Sequence, residues 1–213
     1  MSTEERKTIY LCLAHMSEEG YEQKYVKEAF DTNWVVPMGP NVNAFEQNLA
    51  DFANANSDGS KLARKVVCLS AGTAAVHLAL IACGVKAGDE VCVQSFTFCA
   101  SSHPIIYLGA KPVFIDSERE TWNMDPELLE KAIIERKTVT GKYPKAIIPV
   151  ALYGMPYDCE RIMAIADKYG ISVIEDAAEG MGARFNGQVL GTFGRFGVLS
   201  FNGNKMITTS GGG

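Results

Sequence analysis

The sequence has no long run of one charge. Lys and Arg number 20 and Asp and Glu 25, a formal net charge of −5, and the signs are interspersed. A nucleic-acid footprint needs clustered basic side chains and is not expected. Long apolar runs are missing too. Val66–Leu69 and Ala74–Cys83 fall far short of the roughly 20 residues that span a bilayer, so no membrane partner is expected. The first ten residues, MSTEERKTIY, are charged and lack an apolar signal core, which reads as a cytoplasmic protein. None of the six cysteines, at 12, 68, 83, 92, 99 and 159, sits in a CxxC pair. Buried thiols packed as small hydrophobes are expected, and no metal site. Repeats and low-complexity tracts are absent apart from Gly211–Gly213.

What remains is an ordinary globular composition: 213 residues, 47% hydrophobic and 21% charged. At about 150 residues per domain the chain holds between one and two domains. One large α/β domain fits best, with enough chain to bury a substantial core.

Along the chain, Ser17 before Glu18 and Glu19 reads as a helix start. Tyr21, Tyr25, Val26 and Phe30 continue it at helical spacing. Trp34–Pro40 is a Pro-punctuated loop, and Asn43–Asn54 a second helix with Phe45, Leu49 and Phe52 on one face. Residues 1–60 thus form an N-terminal helical segment and 61–213 an α/β unit. In that unit the expected strands are Val66–Leu69, Glu90–Gln94, Lys111–Ile115, Ala146–Val150, Ser172–Glu175 and Gly197–Phe201. The expected helices are Thr73–Cys83, an irregular Phe98–Leu108 interrupted by Pro104, Asp125–Arg136 and Asp158–Tyr169. Arg184–Leu190 reads as a hairpin around Asn186-Gly187. Alternating strands and helices predict a mainly parallel sheet covered on both faces.

Three places carry chemistry. Ser70-Ala71-Gly72-Thr73 joins a strand to a helix, where unpaired helix N–H groups and a close backbone approach at Gly72 suit a phosphate; a plain helix cap would use the same residues. Asp176 and Glu179 follow a parallel strand, where side chains face the ligand crevice. The acidic loop could equally cap the next segment. Leu199–Lys205 ends the last strand, with Ser200 in it, and runs into a tight polar turn that carries Lys205; a desolvated lysine is a Schiff-base nucleophile, and a lone lysine is otherwise a solvated surface charge. Together, a phosphate cradle, a carboxylate for a pyridine nitrogen and an imine-forming lysine are what pyridoxal 5′-phosphate requires.

The segments SAGTAAVHLAL, GVKAGDEV, SFTFCAS, LGAKPVFID, ALYGMP, VIEDAAEGMGARFNGQVLGTFG and SFNGNKMITTSGGG resemble the DegT-like sugar aminotransferases, a branch of the fold-type I pyridoxal-phosphate enzymes. The resemblance runs over nearly the whole chain. His15-Met16 and FNGNKMITTSGGG are further similar to enzymes that make UDP-linked 4-amino-6-deoxy-N-acetylhexosamines of the bacillosamine type. The resemblance implies a fold-type I large domain that stops before the C-terminal small domain. It makes Lys205 the Schiff-base lysine and Asp176 the partner of the pyridine nitrogen. Gly72, Thr73 and Ser200 would hold the phosphate, and Phe96 would stack on the ring. His15 would lie near the sugar nucleotide. The implied reaction is transamination of a nucleotide-linked 4-keto-6-deoxy sugar by L-glutamate, for surface-glycan synthesis, in a homodimer with shared active sites.

Two positions depart from the family pattern. Glu179 replaces a glutamine near the ring's phenolic oxygen, and Ser210 replaces a glutamate. The bacillosamine-type subgroup shares both changes, which therefore point to substrate class. Of the other histidines, His77 is expected in the core and His103 as a possible cap before Pro104. Three rivals stay open. A sugar dehydratase of the same fold would carry histidine in place of Lys205. A non-catalytic homologue would not need Lys205, Asp176 and Ser200 together. A Rossmann nucleotide binder should show GxGxxG, which LSAGTAAV lacks.

Overall fold

The computed structural model describes Thr8 and residues 15–213; Cys12 lies outside them. Five parallel strands form the central sheet: β1 (Glu90–Gln94), β2 (Lys111–Ile115), β3 (Ala146–Ile148), β4 (Ser172–Asp176) and β7 (Phe196–Val198), in the order β2-β1-β3-β4-β7. β5 (Arg184–Phe185) and β6 (Gln188–Val189) make the expected hairpin. Its two central residues, Asn186 (φ 47°) and Gly187 (φ 86°), both take the left-handed conformation that a two-residue turn requires.

Alternation along each strand builds two cores. Val91, Val93, Ala146, Ile148 and Ile174 face α3 (Gly72–Ala82) and α4 (His103–Tyr107), packing on Val76, Leu80 and Ile105. The intervening Cys92, Ile147 and Val173 face α5 (Pro126–Thr140) and α6 (Cys159–Tyr169), packing on Leu129, Ile133 and Ile162. Strands buried on both faces explain the short, continuous apolar runs in the sequence. The outer helices start where their signals stand. Asp125 Oδ1 accepts from Glu127 N at 2.7 Å with Pro126 in the first turn, and Asp158 Oδ1 accepts from Arg161 N at 3.1 Å. Arg136 forks onto Glu90 at 2.8 and 2.9 Å, tying α5 to the start of β1.

Several expectations are corrected. Val66–Leu69 is extended but joins no ladder. Leu69 exchanges backbone bonds with Gly213 at 2.7 and 3.0 Å, and Cys68 N donates to Glu46 Oε1 at 2.8 Å. These partners, distant in the chain, take the place of a neighbouring strand. The first helix, α1 (Tyr21–Asp31), starts four residues after Ser17. Ser17 Oγ accepts from Tyr21 N at 3.0 Å, and Glu22 reaches back to Ser17 N at 2.9 Å, so the cap lies one turn upstream of the helix proper. α2 (Pro40–Asn54) starts earlier than expected, with Pro40 in its first turn. None of α1 is buried. Its apolar stripe of Tyr21, Tyr25, Val26 and Phe30 is exposed. Phe98–Leu108 divides into a 3₁₀ turn (Cys99–Ser101) and α4. Cys83, Cys92 and Cys159 are buried, Cys68 is half-buried, and Cys99 is exposed. No helix among the described residues is long and apolar enough to cross a membrane.

Candidate active site

The sheet order reverses around β1, whose neighbours β2 and β3 are reached by crossovers to opposite sides. Such a switch point opens a crevice at the C-terminal ends of the strands. A cavity of about 540 Å³ lies there, and Gly72, Phe96, Asp176, Glu179, Ser200 and Lys205 all line it.

The N-terminus of α3 forms one wall. Ala71 is its N-cap, and no side chain caps it. The first intrahelical bond runs from Ala75 N to Ala71 O at 3.1 Å, so the amides of Gly72, Thr73 and Ala74 precede it as unpaired helix donors. Ser200, beyond β7, packs against this turn. A Cβ on Gly72 would lie 3.2 Å from Ser200 Cβ and 3.4 Å from Ser200 Oγ. Only glycine lets the two segments approach this closely without displacing one of them.

β4 ends in Asp176, which points to the α3 face, one residue after Glu175, which points to the α5/α6 face. Asp176 is 5% exposed. Its Oδ2 accepts from Ser101 Oγ at 2.6 Å and its Oδ1 from Ala178 N at 3.2 Å. Burial pushes its pKa up. The Ser101 and Ala178 bonds and the charge of Lys205 act in the opposite direction, and the charge of Glu179 adds to the rise.

Lys205 leaves the tight turn after β7, where its amide donates to Asn202 O at 2.9 Å. Its Nζ lies 3.2 Å from Glu179 Oε1, and the two side chains are only 13% and 24% exposed. The other Glu179 oxygen accepts from Tyr153 N at 2.7 Å. Tyr153 holds φ 51° in a 3₁₀ turn (Leu152–Gly154), an uncommon conformation for an aromatic residue. Gly154 follows, where a Cβ would meet Glu179 O at 3.1 Å. The turn is wrapped around Glu179, and its strain aims an N–H at the carboxylate.

Phe96 is at the mouth, with the Trp122 ring centroid 5.8 Å away. Beneath them a buried amide pair ties the strand ends together. Gln94 Oε1 accepts from Met124 N at 2.8 Å, and Asn123 Oδ1 accepts from Leu152 N at 3.1 Å. Sequence reading missed this pair, along with Ser101, Thr97 and the Tyr153 amide. The segment SFTFCAS held the only available signal, two hydroxyls four residues apart. His15 is exposed and not among the residues lining the cavity. His77 is half-buried rather than core and meets Tyr107 edge-on, with ring centroids 5.6 Å apart. His103 is the exposed first residue of α4, and no side chain caps that helix.

Comparison with known proteins gives a consistent result. The profile of the DegT/DnrJ/EryC1/StrS aminotransferase family matches residues 16–213. EpsN of Bacillus subtilis, whose name describes a pyridoxal phosphate-dependent aminotransferase, is 54% identical over 207 residues, 97% of this chain and 50% of EpsN. GDP-perosamine synthase of Escherichia coli O157:H7 is 40% identical over 204 residues, 96% of this chain and 52% of that enzyme. Among solved structures, the E. coli GDP-4-keto-6-deoxy-D-mannose-3-dehydratase with bound hydrated PLP superposes with a TM-score of 0.80 at 27% identity, covering 95% of this chain and 49% of that one. The chain spans about half the length of the curated relatives it matches.

Proposed function

The chain belongs to the DegT/DnrJ/EryC1/StrS aminotransferase family, and on that premise we propose that it transfers an amino group from L-glutamate to a nucleotide-linked 4-keto-6-deoxy sugar, using pyridoxal 5′-phosphate. The observation that carries this reading is convergence: the uncapped N-terminus of α3, the buried Asp176 and the sheltered Lys205 line one cavity. The donor set fits the cofactor. Three helix amides suit a phosphate, and the close approach at Gly72 brings the Ser200 hydroxyl beside them. A buried carboxylate suits a protonated ring nitrogen.

When bound, the cofactor supplies an electron sink. The chain's own residues do the rest. Gly72 and Thr73 amides and Ser200 would hold the phosphate, and Phe96 would cover a ring face, a contact of about 1 kcal/mol. Asp176 would keep the ring nitrogen protonated. Lys205 Nζ would be the covalent anchor and, once displaced by the donor's amine, the group that takes up and returns the proton at the donor's α-carbon. Glu179, already fixed by the Tyr153 amide, would hold Lys205 in place. His15, on the exposed segment before α1, would act on the sugar nucleotide only through a partner subunit, consistent with a homodimer with shared sites. The proposed setting is the cytoplasm, in amino-sugar synthesis for surface glycans.

The test is an absorbance titration with pyridoxal 5′-phosphate, before and after L-glutamate, with Lys205→Ala alongside. A visible band that shifts on adding glutamate and is missing from the variant supports the reading; GDP-, UDP- and dTDP-linked keto sugars then identify the acceptor. A band indistinguishable between wild type and Lys205→Ala overturns the role of Lys205. No shift with any amino donor overturns transamination.

A further inference from the structure

Asp176 does not stand alone in its wall. Ser101 is 1% exposed, and its hydroxyl donates to Asp176 Oδ2 at 2.6 Å. A serine hydroxyl has a single proton, and that proton is committed to Asp176. The 2.9 Å contact between Ser101 Oγ and Thr97 Oγ1 must therefore be donated by Thr97. The direction of the chain is fixed: Thr97 donates to Ser101, and Ser101 donates to the carboxylate.

The backbone explains why both hydroxyls reach this place. The chain leaves β1 at Gln94 and turns into the 3₁₀ segment Cys99–Ser101, with Ser101 N bonded to Phe98 O at 3.1 Å. That turn brings positions 97 and 101 together over the end of β4. The consequence falls on the two oxygens of Asp176. Oδ2 takes the strong, short bond, whereas Oδ1 accepts only the longer 3.2 Å bond from Ala178 N. A carboxylate oxygen has two lone pairs, so Oδ1 retains acceptor capacity in a residue that lines the cavity. Lys205 Nζ makes its hydrogen bond to Glu179 and acts on Asp176 through its charge.

We propose that Thr97 and Ser101 are positioning residues: a one-way hydroxyl relay that holds Asp176 ionised and turned so that its second oxygen meets a cationic ring N–H. This deepens the aminotransferase reading and rests on the pyridoxal 5′-phosphate assigned there. Donation from Ser101 opposes the penalty that burial places on the charge. Without it the neutral acid gains ground, and a neutral acid does not hold a proton on a pyridine nitrogen.

The relay predicts a dependence on the ring nitrogen that a merely structural role would not show. Ser101→Ala, Ser101→Thr and Thr97→Val are titrated with pyridoxal 5′-phosphate and with its 1-deaza analogue, in which carbon replaces that nitrogen. Dissociation constants are read from absorbance. Ser101→Ala is expected to weaken binding of the natural cofactor about tenfold or more, the scale of a lost hydrogen bond to a charge. Thr97→Val, at the half-buried outer end, is expected to weaken it about threefold, and Ser101→Thr to restore it to within about twofold. The analogue should bind all variants within about twofold of wild type. Equal losses for both ligands, or no loss for either, overturn the relay. If Ser101→Ala does not fold, the contrast between the two ligands in Thr97→Val decides the matter in the same way. Failure of the wild-type protein to bind pyridoxal 5′-phosphate overturns the cofactor reading itself, and the relay with it.

Discussion

Glu175 and Asp176 are neighbours in the chain, both carboxylates and both buried, yet they face different halves of the molecule. Glu175 lies on the α5/α6 side. Its Oε2 accepts from Phe193 N at 3.0 Å, pinning the turn between the hairpin and β7. Burial pushes its pKa up to about 6, against the pull of backbone N–H groups at 191, 193 and 194. Asp176 lies on the α3 side, in a cavity wall beside a hydroxyl donor and a lysine. Strand alternation alone separates a carboxylate that secures the fold from one that lines the cavity. Burial does not distinguish them; the surroundings do. One is enclosed by packed apolar side chains and backbone, and the other borders open space with cationic and hydroxyl groups.

The largest expected effect breaks the comparison on the cavity side. Asp176→Asn keeps the shape but removes the charge and one of the two acceptor oxygens that Ser101 and Ala178 use. Turnover in the proposed transamination is expected to fall about 100-fold or more, the scale of losing one preorganised electrostatic contact in an active site. Glu175→Gln should leave turnover within about threefold, since its side chain never meets the cavity. Steady-state rates for the two variants check this. Equal losses would show that the two faces are not functionally separate.

The second effect lies on the other face and is a matter of pH. The folded protein holds Glu175 at about 6, above its ordinary 4.5. Between those values the folded state keeps a proton that the unfolded chain has released. Stability contributed by this group is therefore highest below about pH 4.5, falls as pH rises through about 6, and stays lower beyond. The step amounts to about 2 kcal/mol. Glu175→Gln removes it, so the variant gains about 2 kcal/mol on wild type between pH 4.5 and 7.5. Urea unfolding of both proteins across that range measures the difference. Parallel curves would show that Glu175 is not protonated preferentially in the fold.

The same two residues show what a sequence reveals and what it does not. The Glu175-Asp176 pair was visible as acid at the end of a strand, because β1, β2 and β4 are short apolar runs between polar turns, a pattern set locally. The ends of β1 and β2 fall where expected, as does the Asn186-Gly187 turn. Lys205 was visible for the same reason, as a polar type just past a strand, and Ser200 as a hydroxyl at that strand's end, although β7 itself stops at Val198. Partners were not visible. That Ser101 donates to Asp176 across 75 positions and that Tyr153 N meets Glu179 depend on crossovers that bring distant turns together. Val66–Leu69 has the composition of a strand, but composition does not supply a neighbouring ladder. α1 has a helical apolar stripe, and spacing says that one face is apolar without saying what covers it.

The smallest effect sharpens the comparison by treating Glu175 as Ser101 treats Asp176. Tyr157 is fully buried on the α5/α6 side. Burial, with the Glu175 charge, holds its phenol well above the usual range. Tyr157 Oη and Glu175 Oε1 lack a partner of good hydrogen-bond geometry, yet they are close enough that the phenol lowers the pKa of Glu175. Tyr157→Phe removes that help from an otherwise unchanged packing surface. The carboxylate is then harder to ionise, so the stability step attributed to Glu175 should begin at the same unfolded-state pH but extend to higher pH. Stability near pH 7.5 should drop by a fraction of the Glu175 step, and by less at pH 5. In a Glu175→Gln background Tyr157→Phe should have no such pH-dependent effect, because no carboxylate is left to feel the phenol. Cofactor affinity should stay unchanged in both backgrounds, in contrast to Ser101→Ala. Urea unfolding of the four proteins of this cycle at pH 5 and 7.5 tests the coupling, and a Tyr157→Phe cost that is the same at both pH values would break the analogy between the two faces.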